Sequence, residues 1–316
     1  MSGAPAGATA TGGAPTTAAP ELYRSFLIAP ANRADMLRKF HLRGADLNIM
    51  CLEDGTPDSE KVGARTIAAD AARHLQEVGC RGRVFIRSNA PGTRWIDDDL
   101  ASIVAAPVAG VCVPKVATLE QVVWIERRLR HHETEQGRPP LQLILGIESV
   151  AGVVNAVEIC TRSTRACAVY FGGEDYTTDL GGRRSREGLE FLYARSLIAM
   201  AARLAGIGAI DTATLEIREP ELFRADAIAA RNLGYHGRVC VHPDQVAIAH
   251  EEFGPSAAEI DRSRRLLEAE QASLGSGLAV FEFEGEMTDG PLVKRARNIL
   301  AVAAEQGRSS DAPPTA

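Results

Sequence analysis

Eight short apolar runs punctuate the chain: Arg24–Ala29, Leu47–Leu52, Arg83–Arg87, Gly110–Val113, Leu143–Ile147, Ala168–Phe171, Ile207–Ile210 and Arg238–Val241. They are continuous rather than alternating apolar and polar, as expected for strands covered on both faces. Stretches with helical period lie between them. One runs over Asn32–Phe40, one passes through Lys61, Ala64, Ile67 and Ala71, and one covers Val150–Thr161. Thr118 and Gln121 form a capping box that opens a further helix, and Pro220 opens another. In the stretch Glu187–Leu204, apolar residues at 189, 192, 193, 197, 200 and 204 form an amphipathic stripe that Gly206 ends.

Strands alternating with helices predict a parallel sheet with right-handed crossovers. Eight units in 316 residues favour a closed barrel over an open sheet. Four segments follow: a tail over 1–22, a TIM-barrel catalytic domain over 23–254, a C-terminal helix-hairpin-helix lid over 255–306, and a second tail over 307–316. Ser256 and Glu259 form the capping box that opens the lid, and alternation over Ala279–Glu284 predicts its hairpin.

In such a barrel the chemistry sits at the C-terminal strand ends. Those ends carry Glu53, Asp54, Arg87, Lys115, Glu148, Glu174, Asp175, Asp211 and His242. Two stretches stand out. Leu143–Ile147 ends on Glu148, and Ala168–Phe171 runs into a Gly-rich loop carrying Glu174 and Asp175. Two strand-end carboxylates on one face suit a hard cation bound through oxygen. The same spacing equally suits solvated loop acids. Lys115 reads as a ligand-facing amine or a barrel salt bridge, and His242-Pro243 as a structural turn.

Composition narrows the partners. A net charge of −6 and a pI near 5.7 argue against a general nucleic-acid binder. No window reaches the roughly 18 apolar residues of a membrane span. Residues 1–20 lack the charged start and apolar core of a signal peptide. The six cysteines form no CxxC pair, which points to a reducing, cytoplasmic setting. The seven histidines show no metal-ligand spacing.

Taken together, several stretches resemble the HpcH/HpaI aldolase/citrate lyase family, in its citrate lyase β-subunit-like branch of citramalyl-CoA and malyl-CoA lyases. They are Phe26–Asn32, Cys51–Gly55 with Lys61 and Arg65, Val84–Asn89, Val113–Lys115, Ile147–Ser149, Phe171–Asp175, Val241–Gln245 and Phe281–Asp289. The resemblance implies a (β/α)8 barrel of the phosphoenolpyruvate/pyruvate-binding type. It implies Mg²⁺ held by Glu148 and Asp175, with Glu53 and Asp54 behind them. Arg87 would grip a keto-acid carboxylate. Lys39, Lys61, Ile210 and Asp211 would contact substrate. Asp289 would be a catalytic acid–base carried into a neighbour's site by the lid. The implied partners are acyl-CoA and small keto acids, in a homotrimer or hexamer. The implied reaction is C–C cleavage or formation in a 3-hydroxyacyl-CoA. Three alternatives share these features: malyl-CoA thioesterase or malate synthase-like activity, a CoA-independent keto-acid aldolase, and a non-catalytic subunit of a lyase complex.

Overall fold

The computed structural model describes residues 22–275 and 280–311. Eight parallel strands close into a barrel in sequence order: β1 Ser25–Pro30, β2 Leu47–Cys51, β3 Arg83–Arg87, β4 Gly110–Val113, β5 Gln142–Ile147, β6 Ala166–Phe171, β7 Gly208–Asp211 and β8 Gly237–Cys240. The (β/α)8 expectation therefore holds. Helices cover the outside: α1 Ala34–Leu37, α2 Lys61–Glu77, α3 Ile96–Ala105, α4 Leu119–Gln136, α5 Val150–Val154, α6 Ala156–Arg162, α7 Gly173–Leu180, α8 Leu192–Ala205, α9 Pro220–Asn232 and α10 Asp244–Phe253.

The period of two along each strand sorts residues into two cores. Phe26, Leu47, Ile49, Phe85, Cys112, Ile144, Tyr170, Ile210 and Val239 fill the barrel interior. Leu27, Met50, Ile86, Val111, Leu145, Val169 and Cys240 face outward, onto Leu75, Leu100, Ile125, Ile159 and Ile198 of the helices. Both faces are apolar, which is why the strands read as continuous runs.

Local elements differ from the sequence expectations in five places. Val150–Thr161 is two helices, broken at Asn155, whose backbone leaves the helical region. The Gly-rich loop after β6 is a helix, α7, with Glu174 and Asp175 in its first turn and Gly181 in left-handed conformation at its end. Acids are favoured at that end by the exposed N–H groups and the helix dipole. Helix α3 is additional. The segment Asn32–Phe40 yields only α1 and a 3-10 turn at Phe40–Leu42. The stretch Glu187–Leu204 is a 3-10 turn at Leu189–Phe191 followed by α8, and its apolar stripe faces outward: Leu189, Tyr193, Met200 and Leu204 are 60–73% exposed, while Ala194, Ile198, Ala199, Ala201 and Ala202 pack inward.

Beyond the barrel, α11 Ala257–Gly275, the hairpin β9 Phe281–Phe283 and β10 Glu286–Thr288, and α12 Gly290–Asp311 follow in order. Ser256 and Glu259 exchange the expected capping bonds. Leu266, Phe283, Val293 and Ala296 form a small core of their own. Helix α12 continues through residues 307–311, placed in a tail by the sequence reading; 312–316 and 1–21 lie outside the described residues, as do 276–279 of the expected hinge. Arg295, Ile299 and Val302 of α12 share a cavity of about 270 Å³ with Tyr23, Arg24, Tyr235 and His236. Those last four residues lie at the N-terminal ends of β1 and β8, so α12 sits at the barrel end opposite the strand C-termini.

Candidate active site

Parity decides which strand-end groups converge. Counting in twos from Ile49, Phe85 and Ile144 of the barrel interior brings Glu53, Arg87 and Glu148 inward. Glu148 and Glu53 are each 3% exposed. Two glycines make room for Glu148. A Cβ on Gly146 would lie 2.6 Å from its Oε1, and one on Gly172 would lie 2.5 Å from its Cγ. No side chain fits at either place.

Both hydrogen bonds that Glu148 accepts fall on Oε1, a short one from the Tyr170 hydroxyl and one of 3.2 Å from the Lys115 N–H. Burial pushes its carboxyl up to about 7, partly offset by Arg87 and Tyr170. The neighbouring charges of Glu53 and Asp175 push it further up. Burial also drives the Tyr170 hydroxyl well above its usual range.

Lys115 ties the mouth together. Its ammonium lies 2.7 Å from Glu53, 2.8 Å from Asp54 and 3.4 Å from Asp175. These partners hold it protonated well above the usual lysine range. Its backbone is left-handed, φ 53°, a cost for any residue with a side chain. Arg87 Nη2 lies 3.0 Å from Glu53 Oε2. Its own charge is strengthened by Cys51, Tyr170, Glu53 and Glu148 against the cost of burial.

The donor set fits a hard divalent cation. Glu148 keeps Oε2 clear of the bonds that hold Oε1, and Asp175 stands partly exposed at the helix start. Both offer carboxylate oxygen, the ligand type magnesium takes. His131, His132 and Glu135 also cluster, but on the outer helix α4, where His131 pairs with Glu135 and His132 with Asp97.

Three residues expected to contact substrate sit elsewhere. Ile210 packs inside the barrel, wholly buried. Asp211 follows it and therefore faces the helices. There both of its oxygens are taken by Arg195, at 3.0 and 2.8 Å, and Arg238 adds a short bond. Lys61 is buried beneath the site, and its ammonium bonds Leu52 O, Glu53 O and Asn89 Oδ1 at 3.0, 3.1 and 2.6 Å. Asn89 is held in turn by Asp99, which also takes Arg65. Lys61 thus fixes the loop that carries Glu53. Lys39 is exposed and lines a pocket of about 120 Å³ with Leu27, Ile28, Phe40, Arg43 and Val241. Asp289 is half-buried between β10 and α12. His242 is partly exposed beside Asp244, and Gln245 instead closes the last strand end, accepting from the N–H groups of Val241 and His242.

Tyr170 was missing from the expected site, and Lys115, which the sequence leaves open between a ligand-facing amine and a barrel salt bridge, makes the salt bridges. Pairing of Tyr170 with Gly146 in the sheet, two residues before Glu148, is what brings its hydroxyl to that carboxylate. That register is not written in either strand alone.

A family model, HpcH/HpaI aldolase/citrate lyase, matches residues 24–243, the span that builds the barrel. The chain belongs to this family. A citrate lyase subunit beta-like protein of Deinococcus radiodurans is 44% identical over 286 residues, 90% of this chain and 98% of the relative. The human mitochondrial citramalyl-CoA lyase is 28% identical over 293 residues, 89% of this chain and 85% of the relative. These relatives are named for carbon–carbon lyases. The crystal structure of protein CitE from Mycobacterium tuberculosis in complex with magnesium, acetoacetate and coenzyme A superposes with a TM-score of 0.74 at 27% identity. It covers 91% of this chain and 99% of the other. Within the family, the inward carboxylates, Arg87 and Lys115 of this chain occupy the barrel mouth, where barrel enzymes place their chemistry.

Proposed function

We propose that the chain is a magnesium-dependent CoA-ester lyase that cleaves or forms a C–C bond in a 3-hydroxyacyl-CoA such as citramalyl-CoA or malyl-CoA. The observation that carries this reading is the convergence of Glu148, Asp175 and Arg87 at one barrel mouth. Glu148 and Asp175 would hold Mg²⁺, as the magnesium complex of the CitE relative supports. Bound there, the ion would withdraw electron density from the substrate's hydroxyl and carboxylate oxygens and offset the charge that builds on them.

The chain's own residues supply the rest. Arg87 receives the keto-acid carboxylate as a fork, fixing the substrate in register. Lys115 keeps Glu53, Asp54 and Asp175 from repelling one another and from drifting apart. In cleavage the hydroxyl passes its proton to solvent water as the carbonyl forms, and the C–C electron pair passes to the acetyl thioester as an enolate. The enolate carbon then takes a proton from Asp289, which acts as the base in the reverse direction. Lys39 and Arg43, on the rim pocket, suit the phosphates of CoA.

Asp289 would serve a neighbouring subunit, in a homotrimer or hexamer. Two observations support this. Helix α12 packs against the far end of its own barrel. And α8 presents Leu192, Tyr193, Met200 and Leu204, 50–70% exposed, as a continuous apolar stripe. A monomer rarely leaves so much apolar surface wet on one helix. No helix among the described residues is long and apolar enough to cross a membrane. Six free thiols agree with a reducing cytoplasm.

The test is a steady-state assay of the purified chain with Mg²⁺, offering citramalyl-CoA and malyl-CoA separately. Keto acid without free CoA is the expected product. Free CoA without keto acid would replace the lyase reading with a thioesterase. Neither product, from folded protein, would refute both.

A further inference from the structure

Cys51 is a thiol at the barrel mouth that the reading above leaves unused. It is paired with Arg87 across the β2–β3 ladder, and both residues fall on the inward parity. Arg87 Nε and Nη2 lie 3.3 and 3.1 Å from Cys51 Sγ, so one whole edge of the guanidinium rests on the sulfur. The sulfur is itself held. Cys51 is 2% exposed. A Cβ on Gly55 would stand 3.3 Å from Sγ, so the loop after β2 packs directly against it. Thr56 Oγ1 ties that loop back to Cys51 O at 2.7 Å.

A guanidinium presents two edges that can take a carboxylate in parallel bonds. Here the Nε/Nη2 edge is committed to Cys51, and Nη2 also reaches Glu53 Oε2 at 3.0 Å. The Glu53 contact is an ion pair without hydrogen-bond geometry, so the Nη1/Nη2 end keeps its N–H groups for a ligand. We propose that Cys51 is a positioning residue: its sulfur sets the rotation of the Arg87 plane and thereby selects the end-on edge as receptor for the carboxylate of a 2-oxo acid. The inference rests on Arg87 being the carboxylate fork of the proposed lyase. Sulfur suits the task because it accepts at longer range than oxygen.

The experiment is calorimetric titration of the full chain, loaded with Mg²⁺, with pyruvate and with glyoxylate. Cys51→Ala is expected to weaken 2-oxo acid binding about tenfold, as loss of a bond to a charged group does. Cys51→Ser, which keeps an acceptor, is expected within threefold of the parent. Magnesium affinity should stay unchanged in both, because neither metal ligand is touched, while Cys51→Ala should melt a few degrees lower because it removes a buried acceptor and leaves a small cavity. Cys51→Ala binding like the parent, while Arg87→Ala does not bind, would overturn the positioning role and leave the lyase reading intact. Equal loss of magnesium and 2-oxo acid affinity in Cys51→Ala would also overturn it, as simple structural damage. If Arg87→Ala binds normally, or the parent binds neither acid, the fork reading falls and this inference with it.

Discussion

Replacing Glu148 by Gln should make the metal-free protein more stable while destroying its activity. The side chain keeps its shape and can still accept from Tyr170 and Lys115. What disappears is a buried negative charge. Burial lifts this carboxyl from 4.5 to about 7 in the folded protein. Between those values the folded state retains a proton that the unfolded chain has released. Stability therefore falls as pH rises through that window and levels off above it. At about 1.4 kcal/mol per pH unit, the cost above pH 7 is about 3 kcal/mol. For a domain of this size that corresponds to a melting temperature about 6 °C higher for Glu148→Gln at pH 8. The assay is thermal unfolding in EDTA at pH 5 and pH 8, repeated with excess Mg²⁺. The parent should lose stability from pH 5 to pH 8 and regain it with Mg²⁺, and the variant should do neither. Lyase turnover should drop by a factor on the order of 10³. A variant that melts no higher than the parent at pH 8 in EDTA would refute the charge-burial account. One that Mg²⁺ still stabilises to the parent's extent would refute the ligand assignment.

Other outcomes follow from the same geometry. Gly172→Ala places a methyl 2.5 Å from Glu148 Cγ, so it should cost about 1–3 kcal/mol in urea unfolding and weaken magnesium binding measured by calorimetry. Asp99→Ala leaves Arg65 and Asn89 without their buried acceptor and should cost about 3 kcal/mol or more in the same unfolding measurement. Leu204→Glu on the outer stripe of α8 should reduce the proposed oligomer to a monomer in light scattering with little change in secondary structure. If Asp289 serves as the proposed acid–base, Asp289→Asn should lower turnover at least a hundredfold with substrate KM nearly unchanged, because only the proton transfer is removed.

The barrel was legible in the chain because each strand is buried on both faces. That requirement writes a continuous apolar run, and eight such runs with intervening helical periods leave few architectures open. Capping boxes at Thr118 and Ser256 were legible too, since they are local hydrogen-bond arrangements. Strand-end carboxylates could be listed from the sequence, but their roles could not. Asp211 and Glu148 look alike on paper. One residue of parity turns Asp211 toward Arg195 and Arg238 behind the barrel, and Glu148 toward its centre. Lys61 could be recognised as a cation near the site, but its ammonium is consumed by backbone carbonyls that only the folded loop supplies. The stripe on α8 had the right period for a buried face, yet small alanines on the opposite face pack against the barrel. Period reports that a helix has two faces; the neighbours decide which one is inside. The tertiary structure alone brought Tyr170 beside Glu148 and set Lys115 among three acids, because those contacts join residues from separate strands and depend on register and barrel closure.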